Sequence, residues 1–156
     1  MPLILPSLVD GHRADLARAI AAMPASRLIG LTVRGFAPGV SILDLPVRLD
    51  LTFDGRIVQG GIVGVLADYA AVSATIAAKP DGWFAATVSF QVNNVDPANG
   101  KTLIAVGRSI KSGARLGLGV AKIYAIDADR TALVAMATAQ CQFIPPPGAT
   151  ADRVAS

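Results

Sequence analysis

From Leu43 to Phe53 apolar and polar residues alternate, with Leu43, Leu45, Val47, Leu49, Leu51 and Phe53 set against Asp44, Pro46, Arg48, Asp50 and Thr52. A period of two is a strand with one wet face, and Pro46 assigns it to an edge or a bulge. Further strands are predicted at residues 28–36, 87–92, 101–110, 115–126 and 131–144. Turns are expected at residues 35–39 around Pro38, at Asp54-Gly55, Asp96-Pro97, Asn99-Gly100 and Lys111-Ser112-Gly113, and at the polar tip 127–130. Two stretches break this rhythm. Residues 10–23 carry Leu16, Ile20 and Met23 at helical spacing behind an Asp10 cap, which predicts a short amphipathic helix ended by Pro24. Residues 57–78 hold a single charge, Asp68, in an Ala-rich run that opens on Gly60-Gly61 and is closed by Pro80-Asp81-Gly82. Such a run predicts a long helix buried on nearly every side.

The predicted order is helix, two strands, long apolar helix, then four strands joined as hairpins. Successive hairpins imply antiparallel pairing, and a sheet with its main helix on one face must curl around it to cover it. The class is therefore α+β, an antiparallel sheet wrapped around one long central helix. Three parts follow: an N-terminal helical segment at residues 1–24, the sheet-and-helix domain at 25–144, and a flexible, Pro-rich tail at 145–156.

Composition narrows the function classes. With 53% apolar and 16% charged residues in 156, the chain has enough material for one real core. The net charge is +3, without a basic run or an aromatic-interleaved basic stripe, so neither nucleic acid nor a membrane is the expected partner. One cysteine, Cys141, excludes an intrachain disulfide and suits a reducing cytoplasm. All eleven acids are aspartates, so carboxylate chemistry falls to Asp. The only histidine, His12, sits among Asp10, Arg13 and Asp15 and is expected on the solvated surface, which argues against a Ser-His-Asp triad or a histidine metal site. No metal is expected.

A buried helix with one carboxylate and a Gly-Gly start combines two useful groups. A helix N-terminus concentrates free N–H donors, and glycine lets a ligand approach them. Asp68 lies eight residues beyond Gly60, roughly 12 Å along the axis. One small reacting centre cannot touch both groups of the same helix. If both are functional, the site is shared between two copies; the other reading of Asp68 is a core or interface carboxylate bonded to neighbouring backbone.

The runs Gly55-Arg56-Ile57-Val58-Gln59-Gly60-Gly61, Leu66-Ala67-Asp68, Thr87-Val88-Ser89-Phe90, Pro97-Ala98-Asn99-Gly100 and Lys111-Ser112-Gly113-Ala114-Arg115 together resemble the hotdog-fold acyl-CoA thioesterases of the phenylacetate-degradation type. The resemblance covers roughly residues 25 to 144. It implies a hotdog fold paired through its central helices as a homodimer or dimer of dimers, with coenzyme A entering as part of an acyl-CoA substrate and no separate cofactor. By the same resemblance, the Gly60 N–H polarises the thioester carbonyl. Asp68 from the other subunit acts as general base or nucleophile, and Thr87 orients the water or the carboxylate. Gly61 is a substrate-binding candidate; Tyr69 and Ser73, with Trp83, are candidates for the acyl pocket, and Arg56, Lys111 and Arg115 for the phosphates.

The chain departs from that pattern at two positions. Gln59 stands where most relatives carry histidine, and Phe53 falls near a position where they often carry asparagine. Glutamine donates a hydrogen bond but exchanges no proton near neutral pH. A module that binds acyl-CoA or an acyl carrier without hydrolysis is therefore the alternative. A hotdog dehydratase or hydratase is the third reading.

Overall fold

The computed structural model describes residues 3–149. Six strands form one antiparallel sheet in the order β1-β2-β4-β5-β6-β3, and a single long helix, α3, packs across it. The strands are β1 (Thr32–Ala37), β2 (Val40–Pro46), β3 (Phe84–Asn94), β4 (Thr102–Ser112), β5 (Leu116–Asp127) and β6 (Arg130–Ile144). The helices are α1 (Ala14–Ala22), α2 (Pro24–Ile29) and α3 (Gly60–Ile76). This is the expected α+β architecture, with the sheet wrapped on one helix.

The helix sits close because nothing large stands between it and the sheet. Ala67, Ala70, Ala71 and Ala74 of α3 are fully buried. Opposite them, a Cβ added at Gly107 of β4 would meet the Ala70 carbonyl, and one added at Gly119 of β5 would meet the Ala71 carbonyl. Ser41 of β2 donates its hydroxyl to Ala70 O at 2.7 Å, so helix backbone and sheet are also tied by a buried hydrogen bond. Leu43, Leu45, Leu66, Leu103, Ile123 and Val134 fill the remaining core.

Several local expectations are corrected. Asp10 does not cap α1. The N-cap position is Arg13, left-handed at φ 50°, with no side-chain capping bond. Arg13 is 2% exposed, and its guanidinium instead donates to Ile76 O at the C-terminal end of α3, to Lys79 O and Trp83 O in the segment that follows it, and to Asp15. His12 is not a solvated surface residue; its Nε2 lies 2.7 Å from Ala77 O. These two side chains fasten the start of α1 to the end of α3 and satisfy carbonyls that a helix terminus otherwise leaves open.

Pro24 ends α1 as expected but also opens α2 from its first turn, a position where its missing N–H costs nothing. α2 therefore takes the first residues of the strand predicted at 28–36, and Gly30, at φ 77°, closes it before β1 begins at Thr32. Gly35 lies inside β1 at a register shift, and the turn is confined to Pro38 and Gly39. The strand predicted at 43–53 stops at Pro46, and Leu49–Leu51 forms a 3-10 turn. Thr52 Oγ1 donates to Leu49 O at 2.7 Å and accepts from Gly55 N at 3.0 Å. Such local side-chain bonds compete with a sheet ladder, and hydrophobic alternation does not register them. The central helix closes at Ile76, two residues short of the predicted end. At the C-terminus Ala149 N–H returns to Pro146 O at 3.1 Å, and the tail from residue 150 lies outside the described residues. Among the described residues no helix is long and apolar enough to cross a membrane.

Asp15 gives the α1–α3 clamp a pH signature. Its carboxylate accepts from Arg13 at 2.9 and 3.0 Å and from Gly82 N at 2.9 Å. The Arg13 bond, foremost, holds its carboxyl well below the usual aspartate range. A depressed carboxylate contributes stability that is full above its unfolded value of about 3.9 and is lost as pH falls below it. Asp15→Asn is expected to lower stability by about 2 kcal/mol at pH 7, the scale of a charged hydrogen bond. The difference from wild type should shrink steadily in urea unfolding series run from pH 4 downward.

Candidate active site

α3 begins at Gly60 because Gln59, in extended conformation, supplies its carbonyl to the N–H groups of Ile62 and Val63 at 2.9 and 3.2 Å. No acceptor among the described residues takes the N–H of Gly60 or Gly61. Gly61 is exposed, with nothing within 4 Å of where its Cβ would be. The start of α3 thus presents two backbone donors at the positive end of the helix. Gln59 is exposed and makes no side-chain capping bond. Asn94, at the end of β3, brings its Nδ2 within 3.3 Å of the space a Gly60 Cβ would fill.

Two turns further along, Asp68 is half-buried and faces β3. Thr87 Oγ1 lies 3.0 and 3.1 Å from its two carboxylate oxygens, so one hydroxyl proton serves both. Burial pushes the Asp68 carboxyl above its ordinary value, and the Thr87 bond opposes that rise. The contact depends on a β-bulge. Register slips between Thr87 and Ser89, so Thr87, Phe90 and Val92 pair with Cys141, Ala139 and Ala137 of β6, whose side chains are buried. Phe90 and Val92 reach within 3.7 Å of the Gly64 Cβ position, and the helix-facing row of β3 runs from Thr87 by Asp68 to Asn94 by Gly60.

Beneath Asp68 lies an apolar cavity of about 130 Å³ between α1, α3 and β3. Tyr69 and Ser73, expected at an acyl pocket, line it with Asp68 and Thr87. Trp83 does not; it is 4% exposed and packs edge-on against Phe143 at 6.4 Å. Ser26 Oγ donates to the Tyr69 hydroxyl at 3.1 Å, and that hydroxyl donates to Met23 Sδ at 3.4 Å, so its polar end anchors α2 and the α1–α2 junction. Leu16, Ile20 and Met23, read from sequence only as the apolar face of a helix, form the opposite wall.

The three basic candidates are not gathered within one chain. Arg56 sits in the turn before α3 and lies 3.7 Å from Asp54. Lys111 and Arg115 belong to the β4–β5 hairpin, which is bound to the other end of α3 through Ser112 Oγ to Thr75 O at 3.2 Å. Fifteen residues of helix, roughly 22 Å, separate Gly60 from Thr75. Among the described residues no group of three or more His, Cys, Asp or Glu side chains is placed to hold a metal ion. Cys141 is buried beside Thr75, and burial pushes its thiol up, away from the thiolate a nucleophile needs. Asp68 is left as the side chain with a base's or nucleophile's chemistry at the cavity.

No protein-family model and no curated protein matches the chain. Solved structures do match. A thioesterase family protein from Silicibacter pomeroyi is 25% identical, with 86% of this chain and 99% of that one covered at a TM-score of 0.81. The PaaI protein of the Escherichia coli phenylacetic acid degradation operon is 19% identical, with 90% and 98% covered at 0.73. A thioesterase from Haemophilus influenzae is 15% identical, with 85% and 90% covered, also at 0.73. The chain is thus a hotdog-fold protein whose structural neighbours are thioesterase-superfamily proteins, PaaI among them.

Proposed function

We propose that the protein hydrolyses an acyl-CoA thioester to the free acid and coenzyme A, at a site shared by two copies of the chain. The observation that carries this reading is the Asp68 carboxylate, held by Thr87 at 3.0 Å beside an apolar cavity. Asp68 takes a proton from water as the water oxygen attacks the thioester carbonyl carbon. Negative charge then grows on the carbonyl oxygen, and the Gly60 N–H of the second copy stabilises it as a preorganised donor. Collapse of the tetrahedral intermediate expels the thiolate of coenzyme A, which recovers the proton from Asp68. In the nucleophilic variant the carboxylate attacks the carbonyl itself, the C–S bond breaks and the coenzyme A thiolate departs, and water then opens the resulting mixed anhydride to the free acid and the Asp68 carboxylate.

A second copy follows from both groups acting on one reacting centre, since Gly60 and Asp68 of one helix stand roughly 12 Å apart. The edge of the sheet supports it. β3 is eleven residues long and among the described residues pairs only with β6, and it carries Val88 and Phe90 at 58% and 50% exposed. A long apolar edge of that kind is ordinarily covered by another strand. Pairing there sets two α3 helices near one another, and Lys111 and Arg115 of one copy can then stand with Arg56 of the other around the phosphates. Binding without hydrolysis is favoured only by Gln59 and Phe53, both exposed. The dehydratase reading lacks its histidine, because His12 is engaged at Ala77 O beyond the end of α3.

Thiol release from a panel of acyl-CoAs, measured from pH 4 to 8, tests the reading. The rate should rise as Asp68 ionises, with an acid limb above the ordinary aspartate value of 3.8 because burial raises it. The same burial has the opposite sign for stability, which falls as pH rises from the unfolded value through the folded one. Saturable binding without thiol release across the panel would overturn the assignment.

A further inference from the structure

We infer that helix α1 is the acyl gauge of this protein: Leu16 and Ile20 limit the length of the acyl group lodged between α1 and α3, selecting a short, uncharged one. The inference rests on the thioester reading for the position of the reacting carbon at Asp68.

The wall's geometry follows from fixed points at its two ends. Arg13 is bound to Ile76 O, and the Tyr69 hydroxyl meets Met23 Sδ at 3.4 Å, so α1 runs antiparallel to α3. Met23 therefore stands near Asp68, Ile20 in the middle and Leu16 at the far end, opposite Ile76. All four line the cavity with Asp68, whose position marks the end where the thioester reacts. Eight residues of α3, roughly 12 Å, run from Asp68 to Ile76. Leu16 and Ile20 are 1% and 2% exposed, so both are packed in place rather than swinging at a surface.

The chemistry of the lining sets the class of guest. Among the described residues Asp68 is the only carboxylate or cation facing the cavity, so a second negative charge on the acyl group would meet repulsion and no partner there. The Ser73 hydroxyl is engaged with Ala70 O at 3.3 Å, and the Tyr69 hydroxyl with Ser26 and Met23. What remains open is apolar. At about 130 Å³ the space is close to the engineered cavity of about 150 Å³ that takes one benzene molecule. A group of that bulk fits between the walls, and a longer linear chain has to pass Ile20 and Leu16.

The test is a homologous series of straight-chain acyl-CoAs, from two to twelve carbons, with kcat/KM for hydrolysis and calorimetric binding measured on the same protein. Wild type should fall away steeply beyond the length that fills the cavity. Leu16→Ala should move the optimum to longer chains, with the long-to-short ratio of kcat/KM rising at least about tenfold. Ile20→Val, a milder truncation, should move it in the same direction by less. Met23→Ala, beside the reacting end, should change all lengths alike. Circular dichroism checks folding, and Ile20→Val keeps the test alive if Leu16→Ala does not fold. If no variant hydrolyses any thioester but the binding optimum shifts with Leu16 or Ile20, the gauge stands and the hydrolytic assignment falls. If hydrolysis proceeds with a length profile that neither substitution moves, the gauge falls and the hydrolytic assignment stands. Absence of both hydrolysis and length-dependent binding overturns the gauge as well.

Discussion

Asp68→Asn is expected to cut thiol release from acyl-CoA by about 10²–10⁴-fold, the range for removing a positioned general base. The substitution is close to isosteric, and the asparagine carbonyl can still accept the Thr87 hydroxyl that now sits 3.0 Å from the carboxylate. The fold should therefore survive. Burial raises the Asp68 carboxyl, which means the ionised side chain is a burden on the folded state above that value. At neutral pH the variant should unfold at the same urea concentration as wild type or a slightly higher one. Steady-state release and urea midpoints measured on one preparation separate lost chemistry from lost structure. Undiminished hydrolysis in a folded Asp68→Asn protein would remove the carboxylate from the mechanism.

Gly107→Ala is expected to destabilise the protein by about 3 kcal/mol, the upper part of the usual range for overpacking. The added Cβ meets the Ala70 carbonyl and the Ser41 hydroxyl, and those two groups are already bonded to each other at 2.7 Å. Neither is the far end of a flexible chain, so the helix or the strand must shift as a unit. Gly61→Ala is the matched control. Its new methyl has nothing within 4 Å and replaces a residue with poor helix propensity, so stability should rise by about 0.5–1 kcal/mol. Urea unfolding followed by circular dichroism reads both, and equal midpoints for the two variants would contradict the close helix–sheet contact.

Residues whose neighbours are local in sequence were legible in advance. The hairpins of β4, β5 and β6 follow from turn residues between alternating runs, and α3 follows from a long apolar stretch with one charge. Gly60 opens that helix as its Gly-Gly start predicts. Long-range determinants were not legible. Strict alternation assigns Thr87 to the face opposite Phe90; only the bulge at Val88, set by pairing with β6 some fifty residues on, returns both to the α3 side. Pro24 reads as a stop in a single sequence, yet the same fixed φ starts α2. His12 looks like a surface residue of a first helical turn, and nothing in the sequence marks its neighbour Arg13 as buried, until the segment from Ile76 onward supplies the carbonyls they bind. The cavity wall escaped for the same reason, because nothing in the spacing of Leu16, Ile20 and Met23 says which helix they will face.

The glycines at 107 and 119 leave no clearance between α3 and the strands below it. That side of the molecule is consequently closed to evolutionary tinkering, since any larger residue there disturbs the whole framework. α1 is held differently: its nine residues are tied at two ends by side-chain bonds, and between them Leu16 and Ile20 pack by their side chains rather than by close backbone approach. Descendants of this chain could acquire new tastes by exchanging one short peptide while inheriting the chassis unchanged.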